Sequence, residues 1–243
     1  MPESLTIGER ELHVWYVELA LDGDALLAAM HLLSVPERER AGGFRFERDR
    51  VPYIAAHAAL RAILARYTHA EAAALTFGEE ASGKPFLERP RDAVRFNLSH
   101  SGELGAVAIV RDAPVGIDIE AIARLPDVEL LAESCFSNDE RVALASVADA
   151  ERPYSFLRGW TRKEAYLKAA GGGLRAPLDA FSVSLDTDAP HRVDCASDPR
   201  RWLVIPLHPG PAAVAAAVVP EDQWRLREDW WTAGRDPSIP RGS

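Results

Sequence analysis

The chain has only two cysteines, Cys135 and Cys195, and no C-x-x-C pair. That scarcity excludes a disulfide framework and fits a reducing, cytoplasmic setting. Long apolar runs are missing as well. The longest, residues 212–220, suits a buried strand and falls far short of a membrane span. The first ten residues carry acids and no apolar core, so no secretory leader is expected. Positive charge is also scarce: 28 Lys and Arg against 37 Asp and Glu leave a net charge of −9. Broad nucleic-acid binding needs a basic surface that displaces counterions, so that class is excluded, whereas a local basic pocket for a phosphate-rich ligand is not. The remainder is ordinary: 243 residues, 47% of them hydrophobic, are enough for one large core or two modest ones.

Residues 13–19 alternate and are rich in Val and aromatics, which predicts a strand. Residues 22–33 place Leu26, Leu27, Met30 and Leu33 on one helical face behind an Asp cap. Ser34 then opens a second helix, with Pro36 in its first turn and Glu37 placed to complete a capping box. Residues 51–67 predict a long helix with Ile54, Ala58, Leu60 or Arg61, and Leu64 inward, while Arg50, Arg61 and Arg66 lie elsewhere. Short strands are expected at 75–77, 85–87, 94–98, 105–111 and 115–120. A helical region at 128–148, broken near Ser137, precedes a long helix at 153–170 that Gly171-Gly172-Gly173 stops. Strands at 181–185, 202–207 and 212–219 complete the order. Strand, helices and strands thus occur twice. The pattern predicts an α+β protein of two similar halves, 1–112 and 113–231, with a frayed tail at 232–243. No residue-level repeat stands out, but a cleft between such halves is a common place for a ligand.

Four stretches carry candidate chemistry. In Gly116-Ile117-Asp118-Ile119-Glu120, strand alternation puts both carboxylates on one face and both isoleucines on the other. Adjacent carboxylates repel unless something positive lies between them, and a hard cation with oxygen ligands, such as Mg²⁺, answers that need. In Trp160-Thr-Arg-Lys163-Glu164-Ala-Tyr-Leu-Lys168, helical spacing lines up Trp160, Glu164 and Lys168, with Lys163 beside them. Glu164 and Lys168 are spaced as a surface ion pair, yet a tryptophan on the same stripe argues that the face is partly buried. A lysine there can neutralise phosphate oxygens while the carboxylate ligates a metal or takes a proton. Asn97-Leu98-Ser99-His100-Ser101 offers hydroxyls and an imidazole at a strand end, a suitable phosphate site. The turn Gly83-Lys84-Pro85 nearly matches a P-loop, but Pro85 replaces the metal-binding hydroxyl and a strand follows instead of a helix. Arg45, Arg50 and Arg61 add guanidinium groups suited to phosphate, although scattered arginines on helices are mostly solvated. No G-x-S-x-G elbow supports a serine hydrolase.

Together these motifs, in this order over residues 36–173, resemble the Sfp-type 4′-phosphopantetheinyl transferases. The combination of Asp118-x-Glu120 with Trp160-x-x-Lys163-Glu164-x-x-x-Lys168 carries the resemblance. It implies a pseudo-twofold α+β monomer with a coenzyme A cleft between its halves. By this likeness Asp118, Glu120 and Glu164 hold Mg²⁺, or Mn²⁺ in its place, against the pyrophosphate. Glu164, Lys168 and Lys163 are the catalytic candidates, Lys168 also contacting phosphate. Ser99 and His100 hold the coenzyme's phosphates, with Lys84, Arg45 and Arg50 around its adenosine-phosphate end. The partner is an apo acyl or peptidyl carrier protein, whose serine attacks the β-phosphate and releases adenosine 3′,5′-bisphosphate; neither a nucleic acid nor a membrane is involved. Other classes remain in view: a different magnesium-dependent phosphotransferase, and a non-catalytic carrier-binding module. The intact acids at 118, 120 and 164 argue against the module.

Overall fold

The computed structural model describes residues 4–91, 93–123, 125, 127–171 and 177–232. Strand β1 (Glu11–Glu18) leads into helices α1 (Gly23–Leu32), α2 (Val35–Gly42) and α3 (Glu47–Thr68). A hairpin of β2 (Thr76–Glu79) and β3 (Pro85–Arg89) connects them to β4 (Arg95–Ser101) and β5 (Leu104–Val110). The order then restarts with β6 (Gly116–Ala121), α4 (Val128–Cys135), α5 (Asn138–Ala145) and α6 (Arg152–Ala170). Strands β7 (His191–Cys195), β8 (Asp198–Leu207) and β9 (Ala213–Pro220) follow, and β10 (Arg225–Trp231) ends the described chain.

Two four-stranded sheets form, ordered β10-β1-β5-β4 and β6-β9-β8-β7, while the β2–β3 hairpin stands apart. β1 pairs antiparallel with β5 and β5 with β4, and likewise β6 pairs antiparallel with β9 and β9 with β8. The sheets pack face to face through Leu12, Val14 and Tyr16 on one side and Ile117, Ile119 and Ala217 on the other. Helix α3 covers the far side of the first sheet over Trp15, Val17 and Val107. Helix α6 does the same for the second over Val204, Ala216 and Val218. Strand alternation explains both arrangements, because each strand must bury one face between the sheets and the other beneath a helix.

A residue-level repeat does exist, contrary to expectation. Ser34-Val-Pro-Glu37-Arg38 and Ser137-Asn-Asp-Glu140-Arg141 share the pattern Ser-x-x-Glu-Arg. Both serines open helices of eight residues, and both glutamates close capping boxes. Each glutamate also receives a cation from the long helix that follows. Arg61 Nε lies 2.8 Å from Glu37 Oε2, and Lys163 Nζ lies 2.8 Å from Glu140 Oε2. Arg61 donates further to the carbonyls of Ala72 and Leu75 at 3.0 Å, and Lys163 to those of Leu178 and Phe181 at 2.6 Å. Those carbonyls bracket equivalent 3₁₀ turns, Ala72–Ala74 and Leu178–Ala180. The repeat escapes a sequence scan because the cations differ in type and in their spacing from the glutamate.

Several expected elements shift. Helix α3 begins four residues early, at Glu47, where Glu47 and Asp49 favour the positive N-terminal end. Arg61 and Arg66, expected off its apolar face, are buried. Residues 181–185 do alternate, burying Phe181, Val183 and Leu185, but they form no strand. Side chains satisfy their backbone instead of a ladder: Val183 N donates to Glu140, and the carbonyls of Phe181 and Ser184 accept from Lys163 and Arg162. Strands β7 and β10 were not anticipated. The charged sequence of β10 hides its role as an edge strand, and it pairs parallel with β1, so the end of the second half completes the sheet of the first. Gly172, Gly173 and residues 233–243 lie outside the described residues.

Candidate active site

Edge strand β4 of the first sheet runs beside edge strand β6 of the second, and the candidate site lies on that seam. Asn97 fastens the two strands, its Oδ1 accepting from Ile117 N at 2.8 Å. Above β6 lies α6, and Gly116 sets how close it comes. A Cβ on Gly116 would lie 2.0 Å from the Ala165 carbonyl oxygen and 2.5 Å from Ala169 N, so only glycine permits this approach. Gly171 ends the helix at φ 74°, in the left-handed region.

That proximity assembles a charged cluster. Asp118, only 4% exposed, accepts at Oδ1 from Lys168 Nζ at 2.6 Å and from Ser99 Oγ at 2.8 Å. Lys168 Nζ also lies 2.9 Å from Ser99 Oγ. Glu120 is held at both oxygens, by Ser101 Oγ at 2.6 Å and by Trp160 Nε1 at 3.2 Å. Among the described residues, two buried carboxylate oxygens, Asp118 Oδ2 and Glu164 Oε1, have no partner. Burial pushes the Asp118 carboxyl up to about 6, against the opposing pull of Lys168 and Ser99. Burial raises Glu164 as well, the Glu120 charge adding to it and Lys168 opposing. Among the described residues, no three acids, histidines or cysteines converge as a ready ligand set.

Two hollows flank the cluster. One, of about 300 Å³, is lined by Lys84, Asn97, Leu98, Glu164 and Lys168. The other, of about 580 Å³, lies in the first half against Arg40, Tyr53, His57, Arg61 and His100. Both have Pro85 and Leu98 in their walls. Alternation along β4 sends Ser99 to the carboxylates and His100 into the larger hollow. Burial lowers the pKa of His100, and the nearby His57 and Lys168 lower it further. In the same hollow the Tyr53 ring packs on His57, with centroids 4.2 Å apart.

The structure therefore brings together Asp118, Glu120, Glu164, Lys168 and Ser99, with His100 around the corner of the strand. The i,i+4 spacing of Glu164 and Lys168 does not become an ion pair among the described residues; Lys168 reaches Asp118 instead. Lys163 turns away from the cluster. It is fully buried in its pairing with Glu140, because the helical step from Glu164 points it at α5. Lys84 is committed to backbone, donating to Val115 O and Lys168 O at 2.7 Å each, and burial lowers its pKa to about 8. Arg45 stacks over Phe46 and Arg50 pairs with Glu47 at 3.4 Å; Arg40 is the arginine beside His57 in the hollow. Sequence reading missed Arg40, Tyr53 and His57, because nothing in helical spacing marks which arginine meets a cavity. It also missed the positioning parts of Asn97, Ser101 and Gly116.

On the seam of a two-halved α+β chain, an acidic pair beside an ammonium and two hollows is a candidate site for phosphate chemistry. Two family models match the chain: "4′-phosphopantetheinyl transferase superfamily" over residues 114–219, and "4′-phosphopantetheinyl transferase, N-terminal" over 22–111. The 4′-phosphopantetheinyl transferase HetI of Nostoc sp. is 34% identical over 226 residues, covering 92% of this chain and 94% of its own. A 4′-phosphopantetheinyl transferase of Bacillus subtilis is 33% identical, covering 68% of this chain and 70% of its own. Sfp of Bacillus subtilis is 29% identical, covering 71% and 75%. The chain belongs to the 4′-phosphopantetheinyl transferase family.

Proposed function

We propose that this enzyme moves phosphopantetheine from coenzyme A to a serine of an acyl or peptidyl carrier protein, with Mg²⁺ as its metal. The observation that carries the reading is the pair of partnerless buried oxygens, Asp118 Oδ2 and Glu164 Oε1, beside the ammonium of Lys168. Buried carboxylate oxygens without a partner are costly, and one multivalent cation would compensate both. The donor set fits a hard oxygen-seeking ion, so Asp118, Glu120 and Glu164 would hold Mg²⁺ or Mn²⁺. When bound, the ion would neutralise charge on the pyrophosphate.

The chain's own residues supply the rest. Ser101 and Trp160 hold Glu120 in orientation. Lys168 neutralises the bisphosphate as it departs, and Glu164 is the group assigned to receive the serine proton. The serine oxygen forms a bond to the β-phosphorus, and the bond from that phosphorus to the bridging oxygen breaks. Adenosine 3′,5′-bisphosphate leaves with that oxygen. The larger hollow receives the coenzyme's adenosine end, with Arg40, His57 and His100 as donors to phosphate and Tyr53 as an aromatic wall. A phosphoryl transfer of this kind needs alignment and charge neutralisation more than a protein nucleophile. We assign one site per chain, in a cytoplasmic monomer.

The test is the intact mass of a purified apo carrier protein after incubation with enzyme, coenzyme A and Mg²⁺, with an EDTA control. The expected result is a gain of one phosphopantetheine that EDTA abolishes. No gain across several carriers would overturn the substrate assignment, and a gain that persists in EDTA would overturn the metal.

A further inference from the structure

Lys168 has two callers. Its Nζ lies 2.6 Å from Asp118 Oδ1, while the proposed reaction requires the same ammonium at a phosphate. The free Oδ2 is the oxygen a divalent cation would take, and an ammonium held on the other oxygen of the same carboxylate repels that cation. We propose that Lys168 is the resident counter-cation of the metal site, holding Asp118 until the divalent ion arrives and then swinging to the phosphate. This rests on the metal reading above.

The contrast with Lys163 supports the exchange. Lys163 has three acceptors, Glu140 and two carbonyls, and its side chain is 0% exposed, so it has nowhere to go. Among the described residues Lys168 has only side-chain acceptors; its side chain is 29% exposed, and the smaller hollow opens beside it. Asp118, by contrast, is fixed on β6 with a side chain only 6% exposed. The partner that moves is therefore the lysine, whose flexible stem and compact charge suit a change of acceptor. Without such a stand-in, the metal-free enzyme would bury an unpaired carboxylate. The consequence is competition: the metal must displace an ammonium, so removing that ammonium tightens metal binding even though it destroys catalysis.

Calorimetric titration of MgCl₂ into metal-free wild type, Lys168→Met and Lys168→Arg tests this without any turnover. Lys168→Met is expected to bind Mg²⁺ about tenfold more tightly, the order of effect that one adjacent unit charge has on a carboxylate. Lys168→Arg keeps the charge and is expected to stay near wild type. A second readout needs no variant that must fold. The chain has three lysines among its 28 basic residues, Lys84, Lys163 and Lys168, so ¹³C-lysine labelling gives three ε-methylene signals. Saturating Mg²⁺ is expected to move the Lys168 signal and leave that of Lys163 in place. Wild-type binding with no gain in Lys168→Met, or with an unmoved Lys168 signal, overturns the exchange alone. Absence of Mg²⁺ binding by wild type, both alone and with adenosine 3′,5′-bisphosphate present, overturns the metal reading and the exchange with it.

Discussion

The two halves share one plan and use it differently. A shift of 103 residues carries Ser34 onto Ser137, and the same shift carries Trp15 and Val17 onto Asp118 and Glu120. Beneath α3, those strand positions are filled with tryptophan and valine in an apolar core. Beneath α6 they hold carboxylates. The facing helix changes to match: Arg66 of α3 lies over the ring of Trp231, whereas Lys168 of α6 meets Asp118. One copy of the plan thus holds an apolar core there and the other the candidate site, while the Ser-x-x-Glu-Arg cap and its buried cation occur in both. The shared residues fix helices to sheets, and the residues that differ decide chemistry.

The largest expected effect tests how closely each helix sits on its strand. Gly116→Val is expected to cost more than about 4 kcal/mol, because its side chain would overlap the backbone of α6. His13, the counterpart in β1, makes one hydrogen bond to Tyr67 Oη at 2.8 Å, so His13→Val should cost only about 1–2 kcal/mol. Equal costs in urea unfolding would break the comparison. Next come the buried pairs. Lys163→Met strands Glu140, 1% exposed, and is expected to cost about 3–5 kcal/mol. Arg61→Met should cost roughly half that, since Glu37 keeps contact with water and with His57. The reverse ranking would mean that the two pairs are not equivalent.

Acid should act on the halves with opposite sign. Burial alone would raise Glu37, but hydrogen bonds from His57, Arg61 and Ser34 outweigh it and bring its carboxyl to about 2. Its stabilisation is full above its ordinary value of 4.5 and is lost as pH falls toward 2. Asp118 lies at about 6, above its ordinary 3.8, so the folded state binds the extra proton and this group withdraws stability as pH rises from about 4 to 6. Unfolding free energies measured against pH should lose the lower dependence in Glu37→Gln and the upper one in Asp118→Asn. Unchanged profiles would remove the electrostatic part of the contrast. The smallest effect belongs to the hollow: His100→Ala is expected to weaken coenzyme A about tenfold by calorimetry, one hydrogen-bonding donor's worth. Wild-type affinity would remove His100 from the site.

Much of this was legible in the residues. Two-residue alternation placed Asp118 and Glu120 on one face, and helical spacing placed Trp160 and Lys168 on another, because both rules are local. Which faces meet is not a local property. Lys163 and Lys168 look alike in sequence, yet one is tied to α5 and the other to β6, and only the packing of α6 separates them. Arg40, Arg45 and Arg50 likewise look interchangeable until a cavity selects one. Strand β10 stayed hidden for a related reason: its charges suit an edge, and its partner lies at the far end of the chain.

That strand has a bearing on the order of events during synthesis. Arg225 pairs with Glu11 across 214 residues, so the first sheet lacks its β10 edge until residues 225–231 have left the ribosome. The amino-terminal half must wait with β1 unpaired on one side, a long loop closure of the kind that slows folding. A fragment ending near residue 112 would keep that edge open to other chains, and a peptide spanning β10, added in trans, is the natural molecule to close it.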